Sequence, residues 1–229
     1  MPIKHIKPIA ILLAAAFTLA AAPAPRKANW NAAAAVTPAG SHTLGNPAAK
    51  VKLAIWVSYT CHHCAHFEEE ADTPLRTSYI APGKLQIEVR HLVRDPVDLT
   101  VAMLTNCGPV GKFFLNHTAF LRSQGAWIGT LASPTAAQRT RWTTGSNLAR
   151  RQAIATDFRF YAIMQTRGYD RASVDRCLAD EAMANRLAAM TQDATQRGVN
   201  STPSFAIDGT LLAGTNDWET LRLQLDARY

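Results

Sequence analysis

Runs of hydrophobic residues divide the 229-residue chain into strand-like ends and a helical middle. Residues 53–57 are almost all apolar, which is typical of a strand buried on both faces, and residues 84–93 alternate as a half-buried strand does. Residues 65–81 between them are predicted to form a helix that Pro74 bends or interrupts. A strand, a helix and a second strand predict a β-α-β unit whose two strands are parallel.

The middle of the chain, residues 96–198, has helical spacing throughout. Its apolar residues recur at i, i+3, i+4 and i+7, and Gly, Pro, Ser and Asp occur where helices are expected to begin or end. Helices are predicted at 95–109, at 110–121, from Ser133 and Pro134 onwards, at 147–167, and after the caps Asp170 and Asp180. His117 falls on the apolar face of the second helix, where we interpret it as a packed or half-exposed polar residue rather than a ligand.

Strand patterns return towards the end of the sequence. The stretch "PSFAIDGTLLAG" has two short apolar runs around Asp208-Gly209, which is a strong hairpin signal, and a capped helix is predicted after it. The order β-α-β, helices, β-β-α predicts an α/β chain with a thioredoxin-like fold and an all-helical insertion. The predicted parts are residues 41–95 with 199–229 for the thioredoxin-like domain and residues 96–198 for the insertion.

Residues 1–22 have the pattern of a secretory signal peptide. They contain two lysines, an apolar run of about a dozen residues and small residues at its end. The run is shorter than the roughly 20 residues that a transmembrane helix needs. Cleavage is predicted after Ala20 or Ala22, followed by an Ala/Pro-rich linker at 23–40 with a possible edge strand at 30–36. We therefore expect an exported, soluble mature protein.

Charge and cysteine content narrow the function further. The formal net charge is +7, but the arginines of the helical region are interleaved with acidic residues. Nucleic-acid binding needs a concentrated basic patch, so it is not expected here. The chain has four cysteines, and thiols in an oxidising compartment tend to pair. They are Cys61, Cys64, Cys107 and Cys177.

The stretch "SYTCHHCAHFEEE" (58–70) holds the candidate chemistry. Covalent haem attachment needs a histidine directly after the second cysteine, and Ala65 stands there. A zinc site would need further ligands close by, for which the nearby histidines are candidates. A purely structural Cys61–Cys64 bridge would close too short a loop to restrain the unfolded chain much.

A redox pair accounts for more of the pattern. Cys61 is predicted at the N-terminus of a helix, where free N–H groups and the helix dipole favour a thiolate. His63 can add a hydrogen bond or positive charge to that thiolate. Cys64, one turn further, would be shielded and placed to attack a mixed disulfide at Cys61. The sequence thus predicts an exposed nucleophile of low pKa with a resolving partner.

The chain resembles the DsbA-like family of periplasmic thiol:disulfide oxidoreductases, in its alphaproteobacterial branch. The resemblance rests on "LGNPAAKV", "SYTCHHCAHFEEE", "DPVDLTVAMLTNCG", "RCLAD" and "GVNSTPSFAIDG". It implies that Cys61 is the nucleophile, that Cys64 is the resolving cysteine, and that Thr202 and Pro203 form a cis-proline loop that binds substrate.

Three positions differ from, or are ambiguous within, the family pattern. The dipeptide His62-His63 replaces the more usual Pro-His or Pro-Tyr, so a redox potential cannot be carried over. Thr202 is also common among isomerase and reductase relatives. Ile55 stands where many thioredoxin-fold enzymes have a buried acid. Without an acid at this position, the proton of Cys64 would be taken up by water or by Cys61 as it leaves.

Two acids follow the motif at positions that match acids in the family. Glu68 and Glu69 directly precede Glu70 in the "EEE" run. We interpret them at least equally well as residues of a solvated helix face.

The resemblance implies that the protein donates its Cys61–Cys64 disulfide to reduced exported proteins in the periplasm. A DsbB-like membrane quinone oxidoreductase would recharge it, and no cofactor or metal is expected in a monomer. One alternative is an isomerase or reductase that is kept reduced. The other is a zinc- or copper-binding carrier. With Cys61 and Cys64 as the redox pair, Cys107 and Cys177 are expected to bridge the insertion, unless they are two separate buried thiols.

Overall fold

A six-stranded mixed sheet runs through the computed structural model, which describes residues 1–2 and 28–229. The predicted cleavage sites, and the signal peptide apart from its first two residues, lie outside the described residues. The strands are β1 (Ala34–Val36), β2 (His42–Gly45), β3 (Val51–Val57), β4 (Leu85–His91), β5 (Ser204–Ile207) and β6 (Thr210–Leu211). They lie in the order β1-β2-β4-β3-β5-β6, with β3 parallel to β4 and all other neighbours antiparallel.

The central strand β3 is covered on both faces, as its apolar run predicts. Leu53, Ile55 and Val57 belong to the main hydrophobic core cluster. Trp56 projects to the opposite face, because successive side chains alternate across a strand, and packs with Ala194 in a second cluster. The predicted parallel β-α-β unit is confirmed.

Strand β2 was not predicted from the sequence. It has four residues and ends in Gly45, a residue type that weakens strands. Gly45 has a φ of +115°, and a side chain there would collide with the carbonyl oxygen of Leu85 on the neighbouring strand. The predicted edge strand at 30–36 is shorter than expected, since Trp30–Ala32 forms a 3-10 turn before β1.

The helices follow the predicted order, with differences in their bounds. They are α1 (His62–Pro74), α2 (Pro96–Thr105), α3 (Phe113–Arg122), α4 (Gln124–Trp127), α5 (Gly129–Ala132), α6 (Ala136–Thr143), α7 (Asn147–Asp157), α8 (Phe160–Thr166), α9 (Arg171–Leu178), α10 (Glu181–Gln196) and α11 (Trp218–Asp226). A π-helical turn, Leu75–Ile80, continues α1 beyond Pro74. Within residues 28–229 no helix is both long and apolar enough to cross a bilayer.

The helix predicted at 147–167 is broken between α7 and α8. Arg159 has a left-handed φ of 60° at the break. In a continuous helix Phe158 and Phe160 would point in nearly opposite directions, since 3.6 residues make one turn. The break lets both rings enter one aromatic cluster, where they stack with centroids 5.3 Å apart. The sequence pattern missed this because tertiary packing stabilises it.

Cap positions were predicted in part. Asp170 and Asp180 cap α9 and α10 by accepting hydrogen bonds from the backbone N–H groups of Ser173 and Met183. The start predicted at Ser133 and Pro134 is wrong by two residues. Thr135 is the cap, because it forms a reciprocal capping box with Gln138.

The insertion and the sheet share one hydrophobic core cluster. Cys107, after α2, and Cys177, on α9, form a disulfide with Cα atoms 5.6 Å apart. The predicted fold class, a thioredoxin-like α/β fold with a helical insertion, is confirmed. The exact domain bounds stay a prediction, because the core is continuous across them.

Candidate active site

The two cysteines of the motif lie where the central strand β3 leads into α1. Residues 58–61 form the connecting loop, and Cys61 is the N-cap residue of α1 with extended backbone angles. Its carbonyl oxygen accepts a hydrogen bond from the N–H of Cys64 at 3.1 Å. Both thiols are free in the structure. The strand–turn–helix context therefore places Cys61 beside the free N–H groups of the helix N-terminus.

Acids at the start of α2 hold the connecting loop. Asp98 accepts hydrogen bonds from the Ser58 hydroxyl at 2.6 Å and from the Tyr59 N–H at 2.7 Å. Asp95 accepts one from the Thr60 hydroxyl at 2.7 Å. Burial raises the pKa of Asp98 to about 7, against the effect of these hydrogen bonds. This role was not predicted from the sequence, although the "DPVD" stretch places both acids at a helix start.

A side chain from the insertion holds the same loop from the other side. The buried amide of Gln124 donates to the carbonyl oxygen of Tyr59 at 2.7 Å and to that of Cys61 at 3.0 Å. These carbonyls precede or begin the helix and have lone pairs left to satisfy. Nothing in the sequence around Gln124 predicts the contact, because 63 residues separate it from Cys61.

The pKa of the Cys61 thiol is lowered to about 4. The largest cause is a hydrogen bond from the Cys64 thiol, which favours the thiolate. Burial of Cys61 opposes it, and Thr202 and the backbone N–H groups of Cys64 and His63 favour the thiolate further. A thiolate at Cys61 is therefore stable at neutral pH.

The pKa of Cys64 is shifted in the opposite direction. Burial raises the pKa of its thiol well above the usual range, and the neighbouring Cys61 raises it further. Only 1% of Cys64 is exposed. The expectation of an exposed nucleophile is wrong in detail, since Cys61 itself is only 5% exposed.

The cis-proline loop lies directly against Cys61. The Thr202–Pro203 peptide bond is cis. The Cys61 Sγ atom lies 3.1 Å from the Thr202 carbonyl oxygen, to which only the protonated thiol can donate a hydrogen bond. The Thr202 hydroxyl is buried and has no hydrogen-bond partner among the described residues. It is thus free to donate to a thiolate at Cys61.

The histidines between the cysteines lie at the surface. His62 and His63 are both exposed, and their rings lie 3.9 Å apart, centroid to centroid. The contribution of His63 to the low pKa of Cys61 comes from its backbone N–H. His66, also exposed, pairs with Glu70 at 3.4 Å. In the described part of the chain, no three His, Cys, Asp or Glu side chains are grouped so that they could hold a metal ion.

A small cavity of about 30 Å³ lies beneath Cys64. Ile55 lines it, as its place in the central strand predicts, and so do Glu68 and His117. Glu68 is 7% exposed, so its interpretation as part of a solvated helix face is wrong. Glu69 does lie on the exposed face. The i+4 spacing from Cys64 to Glu68 was the available signal, because residues four apart share a helix face.

His117 is the buried partner of Glu68. Its Nε2 atom lies 3.6 Å from the carboxylate, and its Nδ1 atom lies 2.8 Å from the Tyr59 hydroxyl. The packed alternative predicted for His117 matches this position, and the half-exposed one does not.

Comparison with known proteins agrees with this arrangement. The profile of the thioredoxin family matches residues 37–227. The "Putative protein-disulfide oxidoreductase" of Rickettsia bellii is 27% identical over 168 residues, which is 72% of this chain and 56% of that protein. The chain thus spans about half the length of this curated relative.

Two solved structures are similar over most of both chains. The crystal structure of a protein-disulfide isomerase from Novosphingobium aromaticivorans is 57% identical, with a TM-score of 0.79 over 82% of this chain and 96% of that one. Wolbachia pipientis alpha-DsbA1 is 18% identical, with a TM-score of 0.66 over 84% of this chain and 92% of that one. The second likeness shows the shared fold.

Proposed function

The chain belongs to the thioredoxin family, and we propose that it is a periplasmic thiol:disulfide oxidoreductase that donates its Cys61–Cys64 disulfide to exported proteins. This proposal rests on the opposite pKa shifts of the two thiols. Cys61 has a pKa lowered to about 4, whereas the pKa of buried Cys64 is raised. One thiol is thus a nucleophile and leaving group, and the other is a shielded partner.

The low pKa of Cys61 favours the oxidising direction. A stabilised thiolate stabilises the reduced protein, so the disulfide form readily accepts electrons. A substrate that is oxidised by this disulfide leaves the enzyme in its stable reduced state. This argument supports an oxidase over a reductase.

The proposed reaction has two exchange steps. A thiolate of the client bonds to Cys61 Sγ, the Cys61–Cys64 bond breaks, and Cys64 takes the electron pair and a proton. A second client thiolate then bonds to the client sulfur of the mixed disulfide, and Cys61 leaves as a thiolate. The client gains one disulfide and the enzyme gains two electrons. Thr202 and Pro203 would bind the client backbone beside Cys61.

Location and partners follow from the sequence features. The predicted signal peptide supports export to the periplasm. A DsbB-like membrane quinone oxidoreductase would reoxidise the Cys61–Cys64 pair. We propose that the protein acts as a monomer on reduced, newly exported proteins.

Disulfide isomerisation is the second candidate function. The 57% identical structure is that of a protein named as a protein-disulfide isomerase, and Thr202 is common among isomerases and reductases. An isomerase would need Cys61 to stay reduced in the periplasm.

Equilibration with glutathione buffers, followed by alkylation and mass determination, separates these functions. We expect the Cys61–Cys64 pair to be more oxidising than glutathione, and the oxidised protein to form disulfides in a reduced client. A pair more reducing than glutathione, with activity on a scrambled client, would favour the isomerase. Failure to exchange with glutathione at all would overturn both.

A further inference from the structure

A pocket of about 310 Å³ lies between the start of α2 and the helices α6 and α7, and we call it the α2–α7 pocket. Its apolar lining residues belong to the hydrophobic core or pack against it, and they are Val93, Leu99, Trp142 and Ile154. Three arginines line it as well, namely Arg94, Arg150 and Arg151. The pocket therefore combines apolar surface with positive charge.

The three arginines differ in what they contact. Arg151 is buried and pairs with Glu181 at 2.8 Å. Arg94 is exposed and Arg150 is half-buried, and neither forms an ion pair within the part of the chain that the structure describes. Residues 3–27, which lie outside that part, contain no Asp or Glu that could supply a partner. Two guanidinium groups are thus available to an anionic group that enters the pocket.

Asp95 also lines the pocket and connects it to the active-site loop. Its carboxylate accepts hydrogen bonds from the N–H groups of Val97 and Asp98, at 2.8 and 2.9 Å. It accepts another from the hydroxyl of Thr60, the residue before Cys61, at 2.7 Å. The pocket is therefore separated by a single side chain from the residue next to the nucleophile.

The order of the strands places the pocket and the cis-proline loop on opposite sides of Cys61. Strand β3 lies between β4 and β5, and the end of β3 leads to Cys61. Because β5 is antiparallel to β3, Thr202 and Pro203, directly before β5, lie on one side. Because β4 is parallel to β3, residues 92–96, directly after β4, lie on the other. A client chain that binds the cis-proline loop and crosses the end of β3 thus arrives at the α2–α7 pocket.

We propose that the α2–α7 pocket is a docking surface for the client polypeptide, and that it takes a segment with an acidic residue beside an aromatic or aliphatic one. The proposal rests on the disulfide-exchange function proposed above, since that function brings a client to Cys61. The client carboxylate pairs with Arg94 and Arg150, because a guanidinium group offers a carboxylate two parallel hydrogen bonds. The neighbouring apolar side chain covers Leu99 and Trp142.

Two contacts on one client chain reinforce each other. A segment docked in the pocket holds the client cysteine near Cys61 at a high effective concentration, which raises the rate of exchange, and a free anion has no such effect. Neighbouring strands lie about 4.8 Å apart, and an extended chain advances about 3.3 Å per residue. The acidic and apolar pair is therefore expected about three to five residues from the client cysteine.

The test uses synthetic peptides that share one pair of cysteines. A Glu-Phe pair is placed at successive distances from the nearer cysteine, on either side, and Lys-Phe and Glu-Ser peptides are the matched comparisons. Oxidised protein is mixed with each peptide at low ionic strength and quenched with acid, and loss of the Cys61–Cys64 disulfide is followed by mass. Each rate is divided by the rate with dithiothreitol, a small neutral dithiol, which removes effects on the reactivity of Cys61 itself. At the matching distance we expect Glu-Phe to react roughly 5- to 10-fold faster than Lys-Phe, because exposed ion pairs are individually weak.

Two variants locate the preference in the pocket. Arg94→Gln combined with Arg150→Gln should remove most of the preference for Glu over Lys, and Arg94→Glu combined with Arg150→Glu should reverse it. The matched control is Arg186→Gln combined with Arg228→Gln, which removes the same charge from exposed positions elsewhere. It should keep the wild-type preference.

Four results would count against the docking surface. Equal rates for Glu-Phe and Lys-Phe in wild type, or a preference that survives in both pocket variants, would overturn it. A preference of the same size at every distance would show general attraction to a basic protein and would overturn it too. A Glu-Ser peptide as fast as Glu-Phe would overturn its apolar half. In all of these cases the proposed disulfide exchange stands, whereas wild-type protein that oxidises none of the peptides would overturn that function and the docking surface together.

Discussion

At the scale of single residues, two cysteines three positions apart have opposite acid–base properties. Cys61 receives hydrogen bonds at the helix N-terminus, and Cys64 is enclosed by the core. Since both thiols have small exposed areas, the pKa and not exposure alone distinguishes their reactivity. The structure assigns the difference to hydrogen bonding at one sulfur and burial at the other.

The first prediction concerns alkylation of the reduced native protein. Cys61 should react quickly with iodoacetamide at neutral pH and Cys64 slowly, because only Cys61 is a thiolate there. Peptide mapping after timed quenching gives both rates, and denatured protein is the control in which the rates should become similar. Cys64→Ser should trap mixed disulfides with clients, and Cys61→Ser should be inactive. Equal native rates would refute the assignment of roles.

The second prediction separates Thr202 from His63 as stabilisers of the Cys61 thiolate. Thr202→Val keeps the shape but removes the buried hydroxyl, so the pKa of Cys61 should rise and the disulfide should become less oxidising. His63→Ala retains the backbone N–H and removes an exposed ring. Exposed charges contribute about 1 kcal/mol or less, so its effect should stay below about one pKa unit.

Ultraviolet absorbance of the thiolate, titrated in wild type and both variants, checks this order. A larger rise in His63→Ala than in Thr202→Val would show that the imidazole dominates. The sequence-based expectation gave His63 such a role, and the titration decides it.

At the scale of elements, the insertion both closes the core and orients the active-site loop. The start of α2 holds residues 58–60 through Asp95 and Asp98, and Gln124 holds the carbonyl of Cys61. The Cys107–Cys177 disulfide joins the chain after α2 to α9. We propose a structural role for this disulfide, because the groove that Cys107 and Cys177 line contains no residue of the active-site loop. The polar contacts of α2, by contrast, hold that loop in position.

The third prediction follows from that division. Cys107→Ala combined with Cys177→Ala opens a loop with a sequence separation of 70 residues. The chain-entropy relation gives roughly 4 kcal/mol for such a loop, and measured values are often smaller. We expect a melting temperature lower by about 5–15 °C and largely unchanged thiol-oxidase activity at 25 °C.

Calorimetry and a client-oxidation assay measure the two effects. The variant in which Cys61 and Cys64 are both replaced by Ala is the matched control for activity, since it should lose client oxidation while its Cys107–Cys177 disulfide stays intact. Loss of activity in the Cys107/Cys177 variant while it remains folded would contradict a purely structural role.

At the scale of the whole molecule, the sheet and the insertion meet around buried histidines. His42 stacks on Phe113 with ring centroids 3.8 Å apart, and His91 packs edge-on against the same ring. Burial lowers the pKa of His42 to about 4 and that of His91 to about 3. The interface between the sheet and the helical insertion thus depends on the imidazoles of His42 and His91 being neutral.

The fourth prediction is a loss of stability in mild acid. Below pH 6.5 the unfolded chain takes up protons at His42 and His91, whereas the folded protein does not until about pH 4 and 3. The unfolded state therefore binds more protons, and each histidine lowers the free energy of unfolding by up to about 1.4 kcal/mol per pH unit as the pH falls. Asp98, with its pKa raised to about 7, binds a proton in the folded protein over the same pH range in which the unfolded chain does not. It therefore stabilises the fold as the pH falls and offsets the destabilising effect of one histidine.

Urea unfolding at several values between pH 6.5 and 4.5 measures the slope. His42→Phe keeps the stacked ring and removes the base, so its stability should depend less steeply on pH. His66→Gln, at an exposed histidine, should keep the wild-type slope. A His42→Phe slope equal to that of wild type would show that His42 is not a buried neutral base.

Local sequence determined the elements and the reactive pair. The apolar run of β3, the helix that follows it and the turn at Asp208-Gly209 are local patterns of period and turn chemistry, and such patterns need no distant partner. The choice of Cys61 over Cys64 as the more acidic thiol follows in the same way from their positions in one helix turn. The fold class could therefore be predicted from the order of these local patterns alone.

Tertiary structure alone decided which distant groups surround that pair. Glu68 is buried because α3 packs on α1, and Gln124 and Asp98 reach the active-site loop across 63 and 39 residues of sequence. The break at Arg159 and the strand β2 likewise depend on packing against remote parts of the chain. Burial and hydrogen-bond partners are properties of the packed molecule, and they set the pKa values from which the chemistry follows.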